Sequence, residues 1–150
     1  MGKTSGQWLQ EGIDEYTKRL KHYISLSVVI IPTPKNLPKQ DIAKQKEMEG
    51  EAILNRITPS DEVYLLDERG QSYSSESLAE FMQKRMTAGV KHLALVVGGP
   101  FGVSEKVYQR ANGLISFSQL TFSHQIIRLL VCEQVYRAFT ILRGEAYHHQ

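Results

Sequence analysis

Cysteine is almost missing from this 150-residue chain. Its single thiol, Cys132, sits inside a helical pattern, so neither an intrachain disulfide nor a cysteine-based zinc site can be assembled. Proline is scarce and clustered: three of five lie between positions 32 and 38, which leaves the rest free to run in regular elements. No apolar run approaches the roughly 20 residues a membrane-spanning helix needs, and the start of the chain does not resemble a secretion signal. Internal repeats, low-complexity tracts and linkers are absent as well. These absences favour one cytoplasmic domain with no membrane partner. A large charge imbalance is also lacking, since the net charge of +2 is too small to mark a nucleic-acid binder by itself.

The distribution of that charge says more than its sum. Residues 1–48 carry +3, residues 49–103 carry −3 and residues 104–150 carry +2. The basic excess thus sits at both ends of the chain, where folding can bring it together and admit an anionic partner.

Residues 7–22 have helical spacing, with Trp8, Ile13, Tyr16 and Leu20 as apolar positions. Residues 26–31 (LSVVII) form a β-branched run stopped by Pro32 and read as a strand. Asp41 is placed to cap a charged helix that reaches about Ile57. Residues 63–67 (VYLLD) then read as a strand ending in the turn ERG. Ser74 or Ser75 can cap a helix through about Thr87, and residues 93–97 (LALVV) read as a buried strand entering GGPFG. Ser104 caps a short helix to about Asn112, LISFS returns as a strand, and a last helix runs to about Leu142. Strands that are continuous apolar runs, alternating with helices, predict a mainly parallel α/β sheet flanked by helices. Ligands bind such sheets beyond the carboxyl ends of the strands, which here are LDERG, VGGPFG and SFSQLTF.

Three motifs carry chemistry or imitate it. Gly2-Lys3-Thr4 looks like the tail of a phosphate-binding loop, but the strand and loop residues that motif requires before it are lacking. Gly98 to Gly102 follows a strand as a cofactor-binding turn should, yet it is not GxGxxG; a tight turn with positive φ explains it equally well. Its glycines do let backbone N–H and C=O groups approach a ligand such as a purine edge. Residues 114–124 (LISFSQLTFSH) place a polar, aromatic-flanked loop between a buried strand and an apolar helix. A loop confined in that way suits a pocket wall better than a tether.

On the last helix, steps of about 100° gather Glu133, Gln134, Arg137 and Thr140 into one polar sector. Arg128 falls amid the opposite apolar arc and needs a carboxylate, a carbonyl or an anionic ligand; a buried ion pair and a functional contact are equally open. Glu133 and Arg137 stand i,i+4 in the favourable order and can serve the helix alone. His124 is either a general base or a hydrogen-bonding cap. Apolar residues outside the main arc, Leu129, Leu130, Tyr136 and Ile141, call for cover on a second side, which a homodimer through this helix supplies. His148 and His149 after Tyr147 lack a third metal ligand at helical spacing, so no metal is expected; Tyr and His also stack on splayed-out RNA bases.

VYLLDERG, LALVVGGPFGVSEKVYQRAN and ISFSQLTFSHQIIRLLVCEQVYRAFTILRGEAYHH, in that order, closely resemble the RlmH family of small SPOUT-superfamily methyltransferases. The likeness extends to QWLQEGIDEYTKRLKHY and KEMEGEAIL, and so to essentially the whole chain. It implies an α/β fold with a C-terminal trefoil knot, a homodimer, and S-adenosylmethionine bound in a bent conformation. The reaction implied is methylation at N3 of a pseudouridine in 23S ribosomal RNA, on the assembled ribosome. Carried over by motif, cofactor contacts fall on Leu66, Gly98, Phe117, Ser118, Gln119, Leu120, Thr121 and Phe122. Contacts to the substrate base fall among His124, Arg128, Glu133, Arg137, Tyr147 and His148, with the tail reaching the pocket from the same or the other subunit. Family members carry a short apolar strand before the turn that corresponds to Gly2-Lys3-Thr4, and that first strand is expected to be missing here. The competing class is a non-catalytic RNA- or ribosome-binding module of the same fold, and a nucleotide-triphosphate module is a distant third. Cofactor binding separates the first from the second.

Overall fold

The computed structural model describes Gly2, residues 6–38 and residues 40–147. His148, His149 and the Lys3-Thr4 pair of the phosphate-loop-like turn lie outside the described residues. Eight elements follow in the order α1 (Gln7–Leu20), α2 (Ile42–Leu54), β1 (Glu62–Ser72), α3 (Ser75–Thr87), β2 (Leu93–Val96), α4 (Glu105–Arg110), β3 (Gly113–Ser116) and α5 (Ile126–Leu142). They fall into two compact units, one holding α2, β1, β2, α4 and β3, the other α1, α3 and α5.

The first unit is a three-stranded sheet ordered β2-β1-β3, with both pairs parallel. Register runs from Glu62 opposite Leu93 to Leu65 opposite Val96 on one side, and from Tyr64 opposite Gly113 to Leu66 opposite Ile115 on the other. Successive side chains alternate across a strand. Val63 and Leu65 therefore share a face, which packs with Ile53 of α2 and with Val103 and Val107 at α4. Val63 and Val107 are wholly excluded from solvent, and each such aliphatic contributes about 1.5–3 kcal/mol by burial. Asn112 extends the ladder on β1: its backbone N–H donates to the Val63 carbonyl and its Oδ1 accepts from the Val63 N–H at 2.8 Å. Asp41 caps α2 by accepting from the Lys44 N–H at 2.9 Å.

The second unit packs α1 and α3 against α5. Leu9, Ile13 and Leu20 form the buried face of α1, and Leu78, Phe81 and Met82 that of α3. Gly12 lets α1 approach closely, because a Cβ there would lie 2.9 Å from Leu129 Cδ1. Ser74 caps α3, its Oγ accepting from the Ser77 N–H at 3.1 Å.

Several local expectations give way to tertiary context. Residues 26–31 form no regular strand, and Val29 is 59% exposed. Only Ile31, among the described residues of this run, meets another backbone, its carbonyl accepting from the Gly2 N–H at 2.9 Å. β-branching favours a pleated, half-buried surface, and without a ladder partner among the described residues it makes no strand there. The ERG turn is instead part of β1. That strand leaves register after Leu66 and returns at Gln71, which again pairs with Ile115, while Ser72 pairs with Ser116. A Cβ on Gly70 would lie 2.7 Å from backbone atoms of Leu114 and Ile115, so glycine serves here as a close-approach residue rather than a turn residue. β2 stops at Val96 and is half-buried, as suits an edge strand. Thr140, placed in the polar sector by helical geometry, is fully buried, its hydroxyl donating to the Arg137 carbonyl at 2.7 Å.

Candidate functional site

The carboxyl ends of β2 and β3 lie beside the point where β1 first leaves register, because the ladders place them there. Leu65 stands opposite both Val96 and Leu114, so Leu66 ends the first pairing segment of β1 just where Val97-Gly98 leaves β2. Leu66 itself stands opposite Ile115, two residues before Phe117. Every residue expected to hold a cofactor (Leu66, Gly98 and residues 117–122) thus belongs to one unit and to one end of one sheet. The loop after β3 starts with an internal turn: Ser116 Oγ donates to the Ser118 carbonyl, and Ser118 Oγ accepts from the Leu120 N–H, both at 2.9 Å. It is less confined than its flanks suggested. Residues 119–123 are exposed, with Leu120 at 73% and Phe122 at 42%.

Gly99 to Gly102 closes a tight turn through the Gly102 N–H and Gly99 carbonyl at 3.0 Å, and Gly102 adopts φ 81°. The positive-φ reading of this motif therefore holds at Gly102. Close approach governs Gly98 and Gly99. A Cβ on Gly98 would lie 3.0 Å from Val103 Cγ1, and one on Gly99 would collide with the Glu49 carboxylate. Glu49 is buried beside this turn, and burial pushes its pKa up. Ser104 stands at the head of α4 without making a side-chain cap, its Oγ buried and lacking a hydrogen-bond partner among the described residues. On α2, Gly50 faces that hydroxyl and leaves no room for a methyl group.

Within the excursion of β1, Asp67 accepts from Arg69 Nε and Nη2, both at 2.9 Å, and from the Tyr108 hydroxyl at 2.5 Å. Arg69 Nη2 also reaches the Tyr108 oxygen at 2.7 Å. The Arg69 guanidinium, helped by Tyr108 and opposed by burial, holds the Asp67 carboxyl well below the usual carboxylate range. This clamp fastens the irregular part of β1 to α4.

In the second unit, α5 and the tail bring three expected base-contact residues together. Glu133 Oε1 accepts from Arg137 Nη2 at 2.6 Å and from the Tyr147 hydroxyl at 3.3 Å. The Arg137 guanidinium lies 4.9 Å from the centre of the Tyr147 ring. Tyr147 also meets Tyr16 oxygen to oxygen at 3.2 Å and packs edge-on against Tyr136 at 4.8 Å. Burial first, then the contacts with Tyr16 and Glu133, push its pKa up, so the phenol stays protonated at neutral pH. Arg128 lies earlier on the same helix, buried at 9% exposure, and burial lowers its pKa. His124 belongs to the first unit and is half-buried. The N-cap position of α5 is Gln125. His148 lies outside the described residues.

Sequence reasoning missed Glu49, the Asp67–Arg69–Tyr108 clamp and the tyrosine cluster of α1 and α5, and it took Ser104 for a side-chain cap that does not form. Only Asp67 and Arg69 left a local trace, since residues two apart on a strand share a face. The others meet across long sequence separations.

A family model described as "Predicted SPOUT methyltransferase" matches residues 1–148. The chain is 51% identical over 150 residues to Ribosomal RNA large subunit methyltransferase H of Flavobacterium johnsoniae, covering 100% of this chain and 96% of that one. The same-named protein of Flavobacterium psychrophilum is also 51% identical over the same shares of both chains. That of Parabacteroides distasonis is 47% identical, again over 100% of this chain and 96% of the relative.

Proposed function

The chain belongs to the SPOUT methyltransferase family, and on that premise we propose that it methylates N3 of a pseudouridine in large-subunit (23S) ribosomal RNA, acting on the assembled ribosome. The observation that carries the reading is the convergence of Leu66, Gly98 and residues 117–122 at one end of the parallel sheet. Relatives named as large-subunit ribosomal RNA methyltransferases, similar along the whole chain, support the substrate.

The strand ends suit S-adenosylmethionine chemically. The loop after β3 offers two phenyl rings, hydroxyls and an amide without any charge, and the glycine turn exposes backbone N–H and C=O groups. Phe101, Leu120 and Phe122 are exposed apolar side chains on these loops, at 48%, 73% and 42%, and an adenine ring would cover such surface. Held there by Leu66, Gly98 and residues 117–122, in the trefoil knot that the family implies, the cofactor supplies an electrophilic methyl group.

The protein's own work is alignment and proton management. N3 carries a weakly acidic proton, and its departure places negative charge on the flanking carbonyl oxygens. Tyr147, a protonated phenol, turns its one O–H from Glu133 to such an oxygen when the base binds and does not serve as the base. Glu133 and Arg137 orient it from one side and Tyr16 from the other. Arg128 contacts the RNA, and the proton passes to His124 or His148, since histidine is the side chain suited to exchange near neutral pH. A homodimer through α5 brings one subunit's tail to its partner's strand ends. Half-buried Ile127, Leu130 and Val131 on α5 and Trp8 of α1, 62% exposed, supply apolar surface for that contact. Sedimentation at twice the 17.1 kDa chain mass is expected.

Calorimetry with S-adenosylmethionine and methyl transfer to unmethylated ribosomes test the reading together. Binding and transfer are expected, with Tyr147→Phe lowering turnover while leaving cofactor affinity intact. Absence of cofactor binding would establish the non-catalytic RNA-binding module instead. Full turnover by Tyr147→Phe would remove the tail from the mechanism.

A further inference from the structure

The second unit carries a shallow recess of about 180 Å³ lined by Glu15, Lys18, Arg19, His22, Tyr23 and Tyr136. Small-molecule pockets run to about 300–1,000 Å³, so this recess is too small to enclose a metabolite. Its chemistry is that of a foothold on a polymer. Two aromatic rings are bracketed by guanidinium groups: Arg19 lies 5.7 Å from the Tyr136 ring centre and Arg143 lies 4.7 Å from that of Tyr23. Arg143 also donates to the His22 carbonyl at 3.3 Å, and Tyr23 donates to Glu145 at 2.5 Å, so the rings are held before any ligand arrives. Arg19 is partly neutralised by Glu15 at 2.8 Å. Lys18 and Lys21 are exposed, and neither side chain has an ion pair or hydrogen bond among the described residues. Four cations (Lys18, Arg19, Lys21 and Arg143) thus face two carboxylates, Glu15 and Glu145.

This patch joins the basic ends of the chain, because α1 and α5 pack together. It is also continuous with the substrate side of the mechanism. Tyr136, which lines the recess, packs 4.8 Å from Tyr147.

We propose that the recess and its flanking Lys18 and Lys21 bind the ribosomal RNA strand next to the target base, the lysines neutralising phosphates while Tyr23 and Tyr136 meet a base or ribose face. The proposal rests on the RNA-methyltransferase reading and adds where the RNA is gripped. Cations preorganised around rings, with free lysines outside them, match a strand that alternates phosphate and heterocycle. A helix C-terminus that needed only dipole compensation would be served by Lys18 and Arg19 in its last turn, without Lys21 or the ring cluster.

The test is a Lys18→Gln/Lys21→Gln variant of the full chain, both positions being exposed. Binding to large ribosomal subunits and to a fragment of their RNA is measured across salt concentrations, beside calorimetry with S-adenosylmethionine. Losing two phosphate contacts on single-stranded RNA should flatten the slope of log affinity against log salt by about 1.4. The KM for ribosomes should rise with kcat and cofactor affinity unchanged. An unaltered salt slope, or a loss of affinity for anionic lipid vesicles with none for RNA, would overturn the proposal. Should the parent protein fail to transfer methyl groups, the function proposed above falls, and the RNA-binding slopes still decide this one.

Discussion

Replacing Gly70 with alanine probes the point where β1 and β3 approach most closely. The new Cβ would lie 2.7 Å from three backbone atoms of Leu114 and Ile115, and ordinary contact begins near 3.4 Å. The strands must therefore part by about 0.7 Å at a place where no side-chain rotamer can yield. They can do so by carrying β3 outward, an overpacking strain of about 1–3 kcal/mol. Alternatively β1 gives up its second pairing segment, Gln71 and Ser72 with Ile115 and Ser116, at about 1 kcal/mol for each hydrogen bond. Removing a glycine's excess freedom returns about 0.5–1 kcal/mol. The net destabilisation is about 1–2 kcal/mol, which for a chain of this size lowers Tm by about 2–8 °C. Either route disturbs Ser116 and the loop to Phe122, and a misplacement near 1 Å at a reacting centre costs up to about 100-fold in rate. Gly89→Ala is the matched control. Gly89 has φ +75° and nothing within 4 Å of where a Cβ would stand, so alanine there adds about 1–2 kcal/mol of backbone strain. Calorimetric Tm should fall in both variants, whereas affinity for S-adenosylmethionine should weaken only in Gly70→Ala. Parental stability and cofactor affinity in Gly70→Ala would refute the reasoning.

Two further outcomes follow from side-chain partners. Ser74→Ala should cost about 1 kcal/mol in denaturant unfolding because a formed cap is lost. Ser104→Ala, which removes a buried hydroxyl with no partner among the described residues, should be neutral or stabilising; a loss equal to that of Ser74→Ala would show a partner at Ser104. Asp67 is depressed in the fold by Arg69, so its contribution is present above the unfolded value near 3.9 and drains away as pH falls toward its folded value. Asp67→Asn should be less stable at neutral pH and lose less on acidification below about 4, whereas parallel acid-unfolding curves would dismiss the clamp as a stabilising element.

The elements legible in the sequence are those specified by nearby residues. Asp41 and Ser74 announce helix starts, and both caps form. The apolar cores of VYLLD, LALV and LIS announce parallel strands, and all three pair. LSVVII misleads because a strand is a property of a pair, and composition reports one member only. Gly70 misleads for a related reason: a turn glycine and a close-approach glycine look alike until the neighbouring backbone is known. At the candidate site, the strand-end residues are accessible because parallel sheets bind ligands at one predictable edge. The pairing of Glu133 with Arg137 is visible as i,i+4 spacing. Tyr16 and Tyr147 meet across 131 positions, and Glu49 reaches a turn fifty residues away, so neither contact leaves a periodic trace.

The excursion in β1 has a consequence for chain length. Leu66 and Gln71 both pair with Ile115, so the residues between them consume sequence without advancing the register. One residue added among positions 62–66 would turn Val63 or Leu65 out of the core, because each step along a strand swaps faces. One residue added at exposed Glu68 would enlarge the protrusion and disturb the Asp67–Arg69 pair, yet leave the ladder on either side in phase. This stretch is where the sheet can absorb insertions and deletions while the strand ends keep their alignment.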